Sequence, residues 1–446
     1  MSEYAEIKIE NMELVWFRNY LDEEIVSLFF SKEDLIITPD YPIDSDAEED
    51  EKYTRYVYKT TVARAKERLD AQGFGVGNLE KVFNENAPWA VDYSPFFNKF
   101  RIEYDDYNKA ASERFEKYVT FKKWKNSMKK IIAFELENGN IAQRYASLPS
   151  ALKISTECDK IIFYALEDEY SGSFYALRPD FVEIPYVFRL ILEYCPNDAR
   201  VELDFSYLVF WDEDNITKAK QATGHTEKTI VLVEGKSDKN ILEFALKHLY
   251  PHLENLFYFM EFDDDRGGKR EGGAPFIVKN METFYFSKIK ARFIAVFDND
   301  AEGYACRQML LGKIKTWPRN FRILQYPNLD LFRSYPTLIP NGSIVNDDIN
   351  NRAASIELYL PDDIIKEDGG FIPIEWESRR QIKCCDGTED FQYQGVISKK
   401  EQIKKAFYQK KNQIEANKAP FKHEEWERMQ VLLSTIVFAF NEDKVE

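Results

Sequence analysis

Two stretches of the chain end on acids. "TIVLVEGKSDK" (229–239) is an apolar run that stops at Glu234 and Gly235, with Asp238 close behind. "FIAVFDNDAEG" (293–303) stops at Asp298 and Asp300, with Gly303 following. Continuous apolar runs are expected of parallel strands covered on both faces. Open α/β sheets bind ligands beyond the carboxyl ends of their strands. If these strands are neighbours, Glu234, Asp298 and Asp300 converge on one crevice, and a spacing of two puts both aspartates on the same side. Clustered carboxylates raise one another's pKa, and a divalent cation removes that conflict. Oxygen-only ligands suit Mg2+ or Mn2+, one ion or two. Such an ion activates water, or stabilises a leaving oxygen in phosphodiester chemistry. Gly235 and Gly303 are expected to permit tight turns and close backbone approach. Asp238 and Ser237 could equally cap the helix that follows.

Further residues are candidates for the same site. Glu357 is an acid inside the apolar "AASIELYLP". Buried, it would need a partner; it is either exposed on a helix or the ligand of a second metal. Asp347 and Asp348 are weaker candidates for that role. Ile397, Lys400, Ile403 and Phe407 recur at helical spacing, so Lys400 is expected to point inward, where it could neutralise a phosphate transition state. The loop "FDDDRGGKREGGAPF" (262–276) is a flexible connection or a phosphate-contacting loop using Lys269 and Arg270. It lacks GxxxxGK[ST] and is no P-loop. Lys122, Lys123, Lys125, Lys129 and Lys130 around Trp124 are either a solvated face or a guide for a nucleic-acid backbone.

The elements that must position these residues divide the chain into three. Residues 1–222 are expected to form an α+β regulatory or recognition domain. "AEIKIE", "EEIVSLFF" and "DLIITPDYPI" look like strands, with the acidic 44–51 as a solvated loop. A helical period is expected from Tyr53 to Gly73, then over "FKKWKNSMKKIIAFEL" and "YVFRLILEYC", with a buried strand in "ARVELDFSYLVFW". The polar 212–228 is the best boundary. Residues 228–340 alternate strand and helix, which argues for a parallel sheet with helices on its faces. Residues 341–446 are expected to be a mostly helical part completing the active site.

Hydrophobic content of 44% and aromatic content of 15% supply real cores and argue against a disordered chain. A net charge of −17 repels polyanions, so nucleic-acid contact requires local basic patches or bound cations. Five cysteines without CxxC spacing and four histidines make a structural zinc site or a disulfide framework a poor fit. The charged "MSEYAEIKIE" is unlike a secretory signal, and no apolar run approaches a membrane span. A cytoplasmic protein without membrane association is the expectation.

"IVLVEGKSD" followed by "IAVFDNDAEG" closely resembles the Toprim domain of topoisomerases, bacterial primases and OLD-family nucleases, over about residues 228–340. The resemblance implies a Rossmann-like α/β fold with metal roles for Glu234, Asp298 and Asp300 and support from Asp238. OLD-like nucleases suggest Glu357 as a second-metal ligand. The flanks "MSEYAEIKIE", "RLILEYCPNDARVELDF" and "SIELYLP" look like bacterial proteins with a HEPN/Toprim-associated N-terminal domain. That context implies antiphage defence. The HEPN ribonuclease signature, Arg followed four to six residues later by His, is absent before His225, His248, His252 and His423. The expectation is a Mg2+- or Mn2+-dependent endonuclease with Glu234, Asp238, Asp298, Asp300, Glu357 and Lys400 in its site. Its partner would be DNA or RNA, tRNA included, with an ATPase, a sensor or a second copy as further partners. The alternatives are a non-catalytic nucleotide- or ion-binding sensor, and a topoisomerase- or primase-like enzyme.

Overall fold

In β1 (Tyr4–Ile9) apolar and polar residues alternate, and Ala5, Ile7 and Ile9 are buried while Glu6 and Lys8 face outward. That period-2 pattern opens an antiparallel sheet with β2 (Met12–Arg18), β3 (Leu35–Pro42), β4 (Lys52–Thr61) and β5 (Arg200–Asp204), in the order β2-β1-β5-β4-β3. The computed structural model describes residues 4–42, 52–86, 117–138, 155–159, 182–223, 227–260 and 273–442. The acidic 44–51, His225, and Lys269 and Arg270 of the Gly-rich loop lie outside the described residues.

The chain divides into two units, Met1–Thr226 together with Asn441 and Glu442, and Glu227–Phe440. In the first unit, several local expectations are corrected. "EEIVSLFF" forms the helix Glu23–Phe29, because Asp22 caps it by accepting the Ile25 N–H at 3.1 Å and Glu23 and Glu24 fill its first turn. The helix expected from Tyr53 begins only at Val62. The residues before it pair with β3 and β5, and Thr61 caps the turn. "ARVELDFSYLVFW" is strand only to Asp204, whose carboxylate accepts the Ser206 N–H at 3.1 Å and starts the short helix Ser206–Trp211. Within the lysine-rich helix Phe121–Asn138, Trp124 is fully buried and stacks on Phe83, and Lys130 is tied to Asp159 at 2.6 Å. Trp124 therefore offers no face to a base.

The second unit is built on a four-stranded parallel sheet. Its strands are β6 (Thr229–Leu232), β7 (Phe257–Met260), β8 (Phe293–Phe297) and β10 (Phe321–Gln325), in the order β10-β8-β6-β7. All five residues of β8 are buried, as a strand covered on both faces requires. The helices Lys236–Leu249, Ala274–Phe286 and Ala301–Lys313 lie in the intervening chain. From β6 the chain moves to β7 on one side, then returns to β8 on the other. The strand order thus reverses between β6 and β8.

The part beyond residue 340 is not mostly helical. β11 (Tyr335–Leu338), β12 (Ile344–Asp347), β16 (Ile374–Lys383) and β17 (Glu389–Ile397) form a second sheet, in the order β12-β11-β16-β17. A two-residue pair, β14 (Lys366–Glu367) with β15 (Gly370–Phe371), lies between β12 and β16 in the chain. "EDFQYQGVI" pairs back on "IEWESRRQIK" across a turn containing Gly387, whose φ is +88°. β9 (Asn299–Asp300) pairs with β13 (Ala353–Ala354), joining the acids to this later region. The expected helices near the end are present as Lys400–Glu415 and Glu427–Val437. Among the described residues no helix is long and apolar enough to cross a membrane.

Candidate functional site

The register of the parallel sheet sets the site. Leu232 lies opposite Ala295, so two residues further on Glu234 comes level with the end of β8. There Glu234 Oε1 accepts the Asp298 backbone N–H at 3.1 Å. The two acids flank the point where the strand order reverses, which is where open α/β sheets bind their ligands. Burial, then the charge of Asp300, pushes the Glu234 carboxyl up to about 8. Burial, then Glu234, holds Asp298 well above the usual carboxylate range. Asp298 Oδ1 is buried and has no hydrogen-bond partner among the described residues.

Asp300 is the N-cap of the helix Ala301–Lys313. Its Oδ1 accepts the Gly303 N–H at 2.7 Å, and its Oδ2 accepts Gln394 Nε2 at 2.7 Å. Gly303 fits its expected role, since a Cβ there would lie 2.3 Å from the Asp298 carbonyl oxygen. Gly235 does not. Its φ of −158° is extended backbone, and a Cβ would meet nothing within 4 Å. Between the aspartates, buried Asn299 donates to Pro327 O and Asn328 Oδ1 and accepts the Asn351 N–H at 2.6 Å. This amide locks the acidic turn onto two neighbouring loops.

Asp238 does cap its helix, accepting the Gly235 N–H at 3.2 Å, while Ser237 Oγ donates to it at 3.3 Å. It also faces the acids: burial, then Glu357, pushes it up to about 7, against the opposing charge of Lys400. Glu357 is fully buried in a short 3-10 turn, Ile356–Tyr359, not exposed on a helix. Its Oε2 accepts Ser355 Oγ at 2.7 Å, and Lys400 Nζ lies 3.2 Å from its Oε1. Lys400 points inward as expected. Burial opposes its charge, but Glu357, Asp298 and Asp238 more than offset that, and its pKa is raised. Asp347 pairs with Arg352 and Asp348 caps Asn350, so neither joins this group.

Glu234, Asp298, Asp300 and Glu357 are the residues expected to hold metal. Among the described residues no group of three or more acids, histidines or cysteines is arranged to hold a metal ion. Most of the acids lean on protein donors: Glu234 on Asp298, Asp238 on Gly235, Asp300 on Gly303 and Gln394, Glu357 on Ser355 and Lys400. The chemistry of the set nonetheless fits Mg2+ or Mn2+. The donors are all hard oxygens, Asp298 Oδ1 is buried and unpartnered, and a carboxylate oxygen accepting one hydrogen bond keeps a second lone pair.

Residues 1–223 match the family described as HEPN/Toprim N-terminal domain 1. The chain belongs to that family. The match ends before β6, so in this HEPN/Toprim family member it covers none of the five acids Glu234, Asp238, Asp298, Asp300 and Glu357. No curated protein matches the chain, and no solved structure does.

In this HEPN/Toprim family member, sequence reasoning missed Gln394, Ser355, Asn299 and Tyr326. Tyr326 follows β10, is buried, and is raised well above the usual phenol range by burial and then by Asp238, Asp298 and Glu234. Asn299 carried a signal, being flanked by two acids. Gln394 carried none, because only the β9–β13 pairing and the β16–β17 hairpin bring it to Asp300 across 94 residues of sequence.

Proposed function

We propose that the second unit is a Toprim-type phosphodiesterase, a Mg2+- or Mn2+-dependent endonuclease acting on DNA or RNA in bacterial antiphage defence. The observation that carries this reading is the placement of Glu234 and Asp298 on either side of the reversal in strand order, in hydrogen-bond contact. Glu234, Asp298 and Asp300 would hold the ion, with Asp238 and Glu357 supporting it or holding a second. A bound divalent cation would polarise the phosphate and lower the pKa of an attacking water. The chain supplies the remainder. Parallel strands fix the acids at one edge, Asn299 anchors the turn that carries them, and Lys400 adds positive charge where a phosphate's negative charge would grow. The N-terminal unit would serve recognition, regulation or assembly with an ATPase, a sensor or a second copy. Family membership supports the association with nuclease systems.

A second reading, a non-catalytic ion- or nucleotide-binding sensor, draws on one observation. Both oxygens of Asp300 already accept hydrogen bonds from the protein. Purified full-length protein and Glu234→Gln, incubated with plasmid, linear DNA, single strands and tRNA in Mg2+, Mn2+ or EDTA, separate the two. The nuclease reading expects metal-dependent cleavage that the variant loses. Relaxation of plasmid without nicking would move the assignment to a topoisomerase-like enzyme. Intact substrates in every condition, together with tight nucleotide or ion uptake, would leave the sensor.

A further inference from the structure

Resting on the metal-site reading above, we infer that Gln394 is a positioning residue for Asp300: its side-chain amide sets the orientation in which that carboxylate meets a divalent cation. Gln394 is buried. Its Nε2 donates to Asp300 Oδ2 at 2.7 Å and to Gly395 O at 3.4 Å, and its Oε1 accepts the Glu302 N–H at 3.0 Å. These partners fix which end of the amide is which. The nitrogen must face Asp300, because a backbone N–H occupies the oxygen. One side chain therefore reads both the carboxylate and the first turn of the helix that the carboxylate caps.

Asp300 is held at two points as a result. The Gly303 N–H takes one oxygen and Gln394 the other, so rotation of the carboxylate would break at least one 2.7 Å bond. The strand that carries Gln394 is itself pinned, since the adjacent Gly395 N–H donates to Arg352 O at 2.9 Å, next to the β9–β13 pair. A ligating carboxylate needs such a partner to define its direction, and losing one typically costs about 10–100-fold in metal affinity. The same hairpin makes a separate contact, Arg380 Nη2 donating to Glu302 Oε2 at 3.2 Å, which ties it to the helix without touching Asp300. That contact supplies an internal control.

The experiment measures Mn2+ binding to the full chain by calorimetry and by the electron paramagnetic resonance of the bound ion, alongside thermal unfolding in chelator. Wild type is expected to bind Mn2+ and Glu234→Gln to lose it. Gln394→Met is expected to weaken binding about 10–100-fold. Gln394→Asn keeps the amide but cannot span both partners, so it should weaken binding in the same direction with an altered bound-Mn2+ line shape. Arg380→Met should leave affinity within about twofold of wild type, because the bonds to Asp300 stay intact. If both Gln394 variants fold and bind Mn2+ like wild type while Glu234→Gln does not, the inference is overturned and the metal site stands. If Arg380→Met weakens binding as much as Gln394→Met, general anchoring of the hairpin is the cause and the positioning role falls. If wild type takes up no Mn2+, the site reading fails and the inference falls with it.

Discussion

Glu357 keeps a carboxylate inside the protein through one hydroxyl and one ammonium, and that pairing is testable at the level of single side chains. Lys400→Met removes the cation but leaves the buried acid with Ser355 alone. About a third of the Lys400 side chain is exposed, so the cost should be below that of a fully buried pair, about 1–3 kcal/mol. Adding Glu357→Gln should recover part of it, because a neutral amide tolerates the same burial. Urea unfolding of the single and double variants measures both effects, and additive costs would show that the pair is not coupled. The inward aim of Lys400 was legible from the helical spacing of Ile403 and Phe407, although Ile397, read into the same helix, ends β17. Its partner was not, because nothing in "AASIELYLP" says that the acid lies in a buried turn facing a helix from much later in the chain.

Helices and strands were legible where local chemistry and burial agree. β6, β8 and their following helices combine apolar runs, a glycine and a cap, and they fold as read. "EEIVSLFF" is the counterexample. Its apolar run fits strand or helix equally, and the Asp22 cap decides. The β16–β17 hairpin was lost because its strands are rich in charged and amide side chains, so alternation in polarity is weak. The two glycines of the site sharpen the distinction between motif and mechanism. Gly303→Ala drives a Cβ into the Asp298 backbone and should cost about 3 kcal/mol or more, at or beyond the upper end of overpacking. Gly235→Ala has open space and an ordinary φ, so it should stay within about 0.5 kcal/mol of wild type. Thermal unfolding of the pair checks this, and equal costs would contradict the close approach at Gly303.

For the molecule as a whole, the acids of the second unit make stability depend on pH in a defined direction. Glu234 and Asp238 are pushed up to about 8 and about 7, so the folded chain binds protons that the unfolded chain releases. Their contribution is fully present below the ordinary carboxylate range and is lost as pH rises through the folded values. In chelator, the unfolding temperature should therefore fall between about pH 5 and about pH 8, and Glu234→Gln should flatten that slope. A rising temperature over this interval would contradict the elevated values of Glu234 and Asp238. The carboxylates and their meeting point were legible in the sequence because strand ends announce themselves. The amides and the ammonium that orient them were not, because they arrive through sheet pairing over long stretches of chain. That separation also has a consequence in time. Gln394 is synthesised 94 residues after Asp300, a delay of about 5–20 s at ordinary ribosomal speeds. A nascent polypeptide thus displays its acidic turn well before the amide that orients it exists, and translation that stops short in that interval leaves a chain unable to complete the cleft.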